Sequence, residues 1–424
     1  MKTTRRATLA TLASLPLYAW HGTSLAGETA QKHDQRMKVT NMTDSVLDAL
    51  NVPGIRGRIV HDINGLSVHV VESGYEAPGR PIVLLLHGFP ETSYSWRKVM
   101  LPLANAGYHV IAPDQRGYGK TTGWDPHYDG DMASFRTHAF ASDALGIVMA
   151  MGYRSVAAVV GHDFGAMVAA YCALVRPDVF QSLALISFPF DGPPTIPFDT
   201  VGKALPLPKP KLDEQLAALP RPRKDSMTYF SSRNANDDMA HAKQGLHDFL
   251  RGYYFVKSAD WQGNHPYPLR TGSAEELAQL PTYYIMDRNA GMAQTVAPYM
   301  SSANHVNSKQ WLPDSDLAVY VEAFRQTGFQ GGLNWFRCHT GSIGKSEIDL
   351  FSGRMIDVPS CFIAGRADWG TYRKPGALER MQQGVYSNFK GIHLIDGAGH
   401  WVQQEQPERF NTLLLDFLQN TMKA

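Results

Sequence analysis

The chain has 424 residues, of which 44% are hydrophobic and 19% charged, and its formal net charge at pH 7 is +1. This is the composition of an ordinary globular protein, and so small a charge gives no reason to expect binding to nucleic acid or to an anionic membrane surface. The length suits one large α/β domain with an insertion. Three scattered cysteines are too few for a disulfide framework, and no Cys/His cluster has zinc-ligand spacing. Cys172 and Cys361 lie in apolar patterns, which predicts that they are buried.

The N-terminal segment is typical of an export signal. Residues 1–6 are basic, residues 7–13 are mostly apolar, and Ser24-Leu25-Ala26 supplies the small residues that a signal peptidase reads. The segment from Thr4 to Leu9 partly resembles the twin-arginine export signal. We expect residues 1–26 to be a signal peptide and the mature protein to be periplasmic or secreted. The alternative is an amphipathic N-terminal helix.

Further along the chain, strand patterns alternate with helix patterns. Residues 55–62 and 66–72 flank Ile63-Asn64-Gly65, which predicts a hairpin. A helix is predicted across 133–151, and an amphipathic helix from 407 to about 422 closes the chain. Alternation of this kind predicts a mostly parallel sheet with helices on both faces. The other predicted strands lie at 81–86, 108–114, 157–160, 182–187, 361–364 and 391–395.

The alternation stops between Asp191 and Met355. There, prolines are followed by long stretches rich in aromatic residues, methionine and glycine. We predict a mainly helical lid over the carboxyl ends of the strands, where an α/β sheet places its ligands. The predicted organisation is a signal peptide (1–26), a first part of the core (27–190), the lid domain (191–355) and a second part of the core (356–424).

The segment from Ala157 to Tyr171 carries the strongest chemical signal. A buried strand pattern ends at Gly161-His162-Asp163-Phe164-Gly165 and becomes a helix pattern. A sharp strand-to-helix turn with glycine two places either side of one residue is the nucleophile elbow, which exposes that residue above the sheet. The residue is Asp163, whose carboxylate is suited to attack a saturated carbon and form an alkyl ester with the enzyme. The alternative is that Asp163 only caps the following helix.

Two other residues just past predicted strands complete a catalytic pattern. The order Asp163, Asp368, His400 is that of nucleophile, acid and histidine in the α/β-hydrolase fold. We predict that His400 activates the water that hydrolyses the ester, and that Asp368 holds the imidazole in the required tautomer. Asp191 is the alternative acid.

An oxyanion hole requires two backbone N–H groups facing the charge that develops on the nucleophile. Phe164, which follows the nucleophile, supplies one, and Phe89 in His87-Gly88-Phe89-Pro90 supplies the other. His87 is expected to shape this loop, since His400 already fills the position of the base.

Several segments resemble the epoxide hydrolase branch of the α/β-hydrolases over nearly the whole mature chain. The resemblance implies an α/β-hydrolase fold with an inserted, mainly helical lid, and a hydrolase that needs no cofactor and no metal. It also implies a covalent alkyl-enzyme intermediate, and the aromatic lid favours a bulky apolar or aromatic substrate. The segments are His87 to Pro90, Asp114 to Gly119, Gly161 to Gly165, Gly399 to Trp401 and, in the lid, Thr327 to Arg337.

The chain departs from this family where the leaving group is recognised. Epoxide hydrolases hold and protonate the epoxide oxygen with two lid tyrosines. Phe336, which has no hydroxyl, occupies the place of the second, and our register puts Ser226 at the first, with Tyr229 one helical turn away. Other tyrosines that could substitute are Tyr254, Tyr283 and Tyr284.

Other substrates stay open for this reason. A haloalkane needs only N–H donors and an apolar cradle, and Trp335 or Trp261 could supply the N–H. Ester or lactone hydrolysis with Asp163 as general base is a further alternative, and a non-catalytic ligand-binding protein is the last. We expect a small-molecule substrate, no nucleic-acid partner and no stable membrane association. The oligomeric state stays open, a homo-oligomer included.

Overall fold

The computed structural model describes residues 52–194, 212–300, 308–341 and 343–422. The predicted signal peptide and the first residues of the predicted core lie outside these ranges, so that part of the organisation stays a prediction.

An eight-stranded sheet forms the centre of the described chain. Its order is β1-β2-β4-β3-β5-β6-β9-β10, with the strands bounded as follows: β1 (Ile55–Ile63), β2 (Leu66–Ser73), β3 (Ile82–Leu86), β4 (His109–Pro113), β5 (Ala158–His162), β6 (Leu183–Ile186), β9 (Ser360–Gly365) and β10 (Phe389–Ile395), while β7 (Arg223–Asp225) and β8 (Ile285–Asp287) form a separate pair. β2 pairs antiparallel with β1 and with β4, and the remaining neighbours in the large sheet are parallel. The predicted hairpin is confirmed, and Asn64 and Gly65 both take the positive φ that a tight hairpin turn requires.

Helices pack against this sheet and close the chain. The predicted helix over 133–151 is in two pieces, because Arg136 has an extended backbone between the short turn Ala133–Phe135 and the helix proper. The closing helix is confirmed and buries Phe410, Leu414 and Leu418. The helices of the core are α1 (Arg97–Asn105), α2 (Thr137–Ala150), α3 (Phe164–Val175) and, after the insertion, α14 (Ala377–Arg380), α15 (Val402–Glu405) and α16 (Pro407–Met422).

The segment between β6 and β9 is mainly helical, as predicted for a lid. It also contains the β7–β8 pair, which was not predicted because three-residue strands are too short to show alternation. Its described helices are α4 (Leu212–Ala217), α5 (Ser226–Phe230), α6 (Ala235–Ala240), α7 (Leu246–Lys257), α8 (Ala274–Leu277), α9 (Met292–Val296), α10 (Ser308–Trp311), α11 (Asp314–Thr327), α12 (Gln330–Thr340) and α13 (Lys345–Asp349).

Three general properties of the described residues bear on function. None of their helices is both long and apolar enough to cross a membrane. They hold no group of three or more His, Cys, Asp or Glu side chains placed to bind a metal ion. The burial predicted for Cys172 and Cys361 is confirmed, and Cys338 is buried and unpaired as well.

Candidate active site

Asp163 stands at the sharp turn between β5 and α3. Its φ of 50° and ψ of −118° are a strained conformation for a residue with a side chain. The turn is possible because a Cβ on Gly161 would lie 2.1 Å from the carbonyl oxygen of Gly165, and one on Gly165 would lie 2.3 Å from that of Leu86. The Asp163 side chain makes no capping hydrogen bond to α3, so the helix-cap alternative is wrong. Its side chain keeps 17% of its surface exposed, which a substrate can reach.

The structure brings Asp163, Asp368 and His400 together. His400 Nδ1 lies 3.1 Å from Asp368 Oδ2, and the other oxygen of Asp368 accepts the Gly370 N–H at 2.7 Å. On the opposite side of the ring, Nε2 lies 3.2 Å from Asp163 Oδ2 but is not aligned for a hydrogen bond. His400 can therefore hold its tautomer through Asp368 while Nε2 stays available to take a proton from water.

The alternative acid, Asp191, lies in a different environment. Its carboxylate pairs with Lys374 at 2.7 Å and with Arg380 at 2.5 Å. The geometry therefore favours Asp368 as the partner of the histidine.

The loop after β3 reaches the nucleophile through its backbone. The Phe89 N–H donates to Asp163 Oδ1 at 3.1 Å, which is the position required of an oxyanion donor. Among the described residues, Phe89 is the backbone donor that hydrogen bonds to this carboxylate, and the predicted role of the Phe164 N–H stays a prediction. His87 accepts the Gln115 N–H at Nε2, and its Nδ1 lies 2.9 Å from the Gly88 carbonyl oxygen. Burial lowers the pKa of His87, so a neutral ring with a role in shaping the loop fits both contacts.

A buried ion pair that the sequence analysis did not anticipate lies beneath the site. His162 Nδ1 is 2.6 Å from Glu91 Oε2, and its Nε2 is 2.8 Å from the carbonyl oxygen of His400. Both partners are acceptors, so the ring must carry a proton on each nitrogen. Burial lowers the pKa of His162, but the charge and hydrogen bond of Glu91, with the Asp163 charge and the bond to the His400 carbonyl, together raise the pKa overall. The pair thus fixes the backbone of His400.

The charges around Asp163 keep it ionised. Burial by itself raises the pKa of this carboxyl group, but the close approach and charge of His400, followed by the charges of Lys257 and His162, hold the pKa well below its usual range. The nucleophile is therefore a carboxylate at neutral pH.

Three of the predicted lid tyrosines have hydroxyls that bond to other residues. The hydroxyl of Tyr229 donates to Asp238, that of Tyr254 to the Pro90 carbonyl at 2.6 Å, and that of Tyr283 to Asn264 at 2.6 Å. These three phenols are engaged away from the catalytic residues.

Of the other candidates, Phe336 and Trp335 lie next to the nucleophile or its loop, whereas Trp261 packs on Tyr283 and Tyr299. Phe336 packs edge-on against Phe89, and Trp335 lies 4.4 Å, centroid to centroid, from Phe164. Ser226 is buried, and its N–H donates to the Tyr284 carbonyl at 2.8 Å. 

Two residues of α7 were missed by the sequence analysis. Tyr253 and Lys257 are four positions apart, so they lie on the same face of the helix. The Asp163 charge, after burial, raises the pKa of Tyr253, and the Asp368 charge, after burial, raises that of Tyr284. Neither hydroxyl has a hydrogen bond to another residue in the described ranges. The spacing of a tyrosine and a lysine in the mostly apolar last turns of α7, over residues 252–257, is the signal that could have found them.

A cavity of about 800 Å³ opens between the lid and the core. Asp163, Asp368 and His400 are not among its lining residues. It lies beside them, because its walls include Met167, four positions after the nucleophile, and Gly370, the donor to Asp368. Its size fits a drug-sized organic molecule. Phe188 and Tyr171 add aromatic surface to the wall, while Arg373 adds a charge.

Comparisons with known proteins agree with this geometry. Residues 81–407 match a family model described as alpha/beta hydrolase fold. Epoxide hydrolase A of Mycobacterium tuberculosis is 32% identical over 367 residues, which cover 84% of this chain and 95% of that protein. An epoxide hydrolase structure from an endophytic Streptomyces has a TM-score of 0.69 at 28% identity and covers 88% of this chain and 98% of its own. Epoxide hydrolase A from Mycobacterium thermoresistibile has a TM-score of 0.64 at 29% identity, with 86% and 98% covered. The chain therefore belongs to the α/β-hydrolase family and is an enzyme of its epoxide hydrolase-like branch.

Proposed function

We propose that this enzyme hydrolyses epoxides that carry a bulky apolar or aromatic group, through a covalent alkyl ester of Asp163. One observation carries the proposal. The Asp163 carboxylate is ionised and partly exposed, with Oδ1 held by the Phe89 N–H and Oδ2 lying 3.2 Å from His400 Nε2. The relatives named above are epoxide hydrolases, which supports the same substrate class.

The two oxygens of the nucleophile have different roles in this mechanism. Oδ2 accepts no hydrogen bond from an N–H among the described residues, so it is the oxygen free to attack. It attacks a carbon of the epoxide and forms the ester. His400 Nε2 then takes a proton from water, and the water oxygen attacks the carbonyl carbon of the ester. The charge that develops on Oδ1 is stabilised by the Phe89 N–H, and Asp368 stabilises the imidazolium. The tetrahedral intermediate formed by the attack of water then collapses, which releases the diol and restores the Asp163 carboxylate.

The leaving oxygen needs hydrogen-bond donors from the lid. Phe336 has none, but the hydroxyls of Tyr253 and Tyr284 have no described partner and feel the charges of the catalytic carboxylates. These two phenols are suited to hold the epoxide oxygen as the ring opens.

Isotope labelling tests the covalent route. The enzyme is incubated with a styrene-type epoxide in water enriched in ¹⁸O over many turnovers, and the peptide containing Asp163 is analysed by mass. Label in the Asp163 carboxylate is expected, because the water oxygen stays on the enzyme when the ester is cleaved. Label confined to the diol would show that Asp163 acts as a general base and would contradict the proposal.

Haloalkane hydrolysis is a second candidate, and one observation favours it. The Nε1 atom of Trp335 is buried without a hydrogen-bond partner among the described residues, and the ring packs on Phe164 beside the nucleophile. An indole N–H in such a place could bind a halide. A parallel screen of styrene-type epoxides, bromoalkanes and aryl esters separates the leaving groups by their rates.

We propose further that the mature enzyme is exported to the periplasm or secreted. The support is the basic and apolar pattern of residues 1–26, with the twin-arginine-like segment within it. N-terminal sequencing of secreted material is the test, and a sequence starting near Met1 would contradict export through a cleaved signal.

A further inference from the structure

We propose that the ammonium group of Lys257 is the proton donor to the oxygen that leaves when the epoxide opens. The proposal rests on the proposed epoxide hydrolysis and names the residue that replaces the missing phenol at Phe336. The observation behind it is the position of this lysine, which is largely buried at the end of lid helix α7 and bonded through its backbone to His400.

Three aromatic rings surround the ammonium of Lys257. Its Nζ lies 5.4 Å from the ring centroid of Tyr253, 5.2 Å from that of Tyr284 and 5.3 Å from that of Trp401. These are cation–π distances, which hold a cation in place without neutralising its charge. The residue is only 5% exposed, and nothing in the described ranges hydrogen bonds or forms an ion pair with its ammonium.

A cation on a side chain that is only 5% exposed, with no ion-pair partner in the described ranges, reduces stability, so its presence indicates a function. Arg373, whose Cζ lies 5.1 Å from the centroid of the same Tyr284 ring, shows the contrast, because its charge is paired with Asp225. Lys257 has no such partner and is left to interact with charge that appears during the reaction.

The location of Lys257 is next to the catalytic residues. Its backbone carbonyl accepts the N–H of His400 at 2.9 Å, so the end of α7 is bonded to the catalytic loop. One member of its aromatic cage, Trp401, directly follows His400. Another, Tyr284, places its hydroxyl 3.0 Å from where a Cβ on Gly370 would stand, beside the N–H that holds Asp368.

The electrostatics of the cage favour the ammonium over the phenols as the acid. Burial, with Arg373 adding to it, lowers the pKa of Lys257 below its usual 10.5, although the charges of Asp163, Asp368 and Glu91 act against the shift. Burial and the neighbouring carboxylates raise the pKa values of Tyr253 and Tyr284. The phenols can therefore hold the oxygen by hydrogen bonds, while Lys257 gives up a proton more readily than an ordinary lysine.

The reaction balances with Lys257 as the acid. The bond from Asp163 Oδ2 to the epoxide carbon forms as the ring C–O bond breaks, and the electron pair moves to the ring oxygen. That oxygen takes a proton from Nζ and becomes a hydroxyl, which leaves a neutral amine. In the second half-reaction His400 takes a proton from water, the ester is cleaved, and the departing oxygen takes the proton of the new carboxylic acid. The proton on His400 then returns to Lys257 through solvent.

The test separates ester formation from ester hydrolysis. Quenched-flow mass analysis of the Asp163 peptide with a styrene-type epoxide gives both rates for the wild type, for Lys257→Met and for Lys257→Arg. Methionine fills the cage without a charge, and arginine keeps the charge but does not release its proton. Lys224→Met is the matched control, because Lys224 is a lid lysine whose Nζ lies 5.2 Å from the ring of Tyr229, away from the catalytic residues.

We expect Lys257→Met to slow ester formation by about 10² or more, which is the range of general acid catalysis. Ester hydrolysis should keep its rate, the thermal midpoint should be no lower than in the wild type, and Lys224→Met should match the wild type in both steps. Ester formation at the wild-type rate in Lys257→Met, or in Lys257→Arg, would overturn the proton transfer while leaving the proposed function intact. A raised KM confined to epoxides bearing a carboxylate would show an anion anchor instead and would also overturn it. If the wild type forms no ester with any epoxide, the proposed function fails, and this role fails with it.

Discussion

Replacing Gly88 with alanine tests how closely the oxyanion loop must approach the nucleophile. A Cβ at position 88 would lie 2.5 Å from Cβ of Asp163 and 2.9 Å from its Oδ1. Non-bonded carbons are at their optimum about 3.5–4.0 Å apart, so the added methyl group must move the carboxylate or the loop by roughly 1 Å. The φ of Gly88 is not positive, so alanine is otherwise compatible with the backbone, and the effect is that of these close contacts and of one with the His162 carbonyl oxygen at 2.9 Å.

A displacement of about 1 Å costs on the order of 10² in rate, and forced overpacking costs about 1–3 kcal/mol in the free energy of unfolding. We expect Gly88→Ala to slow formation of the Asp163 ester by that factor in quenched-flow experiments and to lower the midpoint of denaturant unfolding. Gly146→Ala is the control, because a Cβ there approaches only Ile63 closely, at 3.1 Å from Cγ2, in the interior of α2. Wild-type ester formation and stability in Gly88→Ala would refute the reasoning.

Three further changes test other parts of the site. His400→Gln should lower turnover by about 10²–10⁴ and trap one alkyl group per enzyme on Asp163, detected by mass, since the general base is lost. A variant with no trapped ester would contradict the two-step mechanism. Asp368→Asn should slow ester hydrolysis more than ester formation in single-turnover experiments, because it removes the acceptor at 3.1 Å from His400 Nδ1. Equal slowing of both steps would argue against its assignment. The pKa of Glu91 is lowered below its usual 4.5 in the folded protein: burial alone would raise it, but the charge and hydrogen bond of His162 outweigh burial. Its contribution to stability is therefore present above pH 4.5 and lost as the pH falls. Glu91→Gln should flatten the acid limb of unfolding free energy measured between about pH 3 and 6, and an acid limb as steep as that of the wild type would show that another carboxylate is responsible.

The sequence by itself determined the features that depend on neighbouring residues. The turn at Asn64-Gly65, the buried strands and the elbow around Asp163 follow from the conformations and close contacts that a few consecutive residues allow. The chain order of nucleophile, acid and histidine could also be predicted, because parallel strands bring their carboxyl ends to one edge of the sheet. That is why the fold and the branch of the family could be predicted from the sequence.

Only the tertiary structure decided which lid residues face the nucleophile and which acid faces His400. Asp191 and Asp368 both follow core strands, and the choice depends on which one lies across from a histidine far away in the chain. Likewise, Tyr229 bonds to Asp238 within the lid, whereas Lys257 reaches the catalytic loop through a contact with His400, more than a hundred positions further on. Helix patterns show which residues share a face but not what that face meets, because the packing of a lid on a core depends on contacts between distant segments rather than on local spacing.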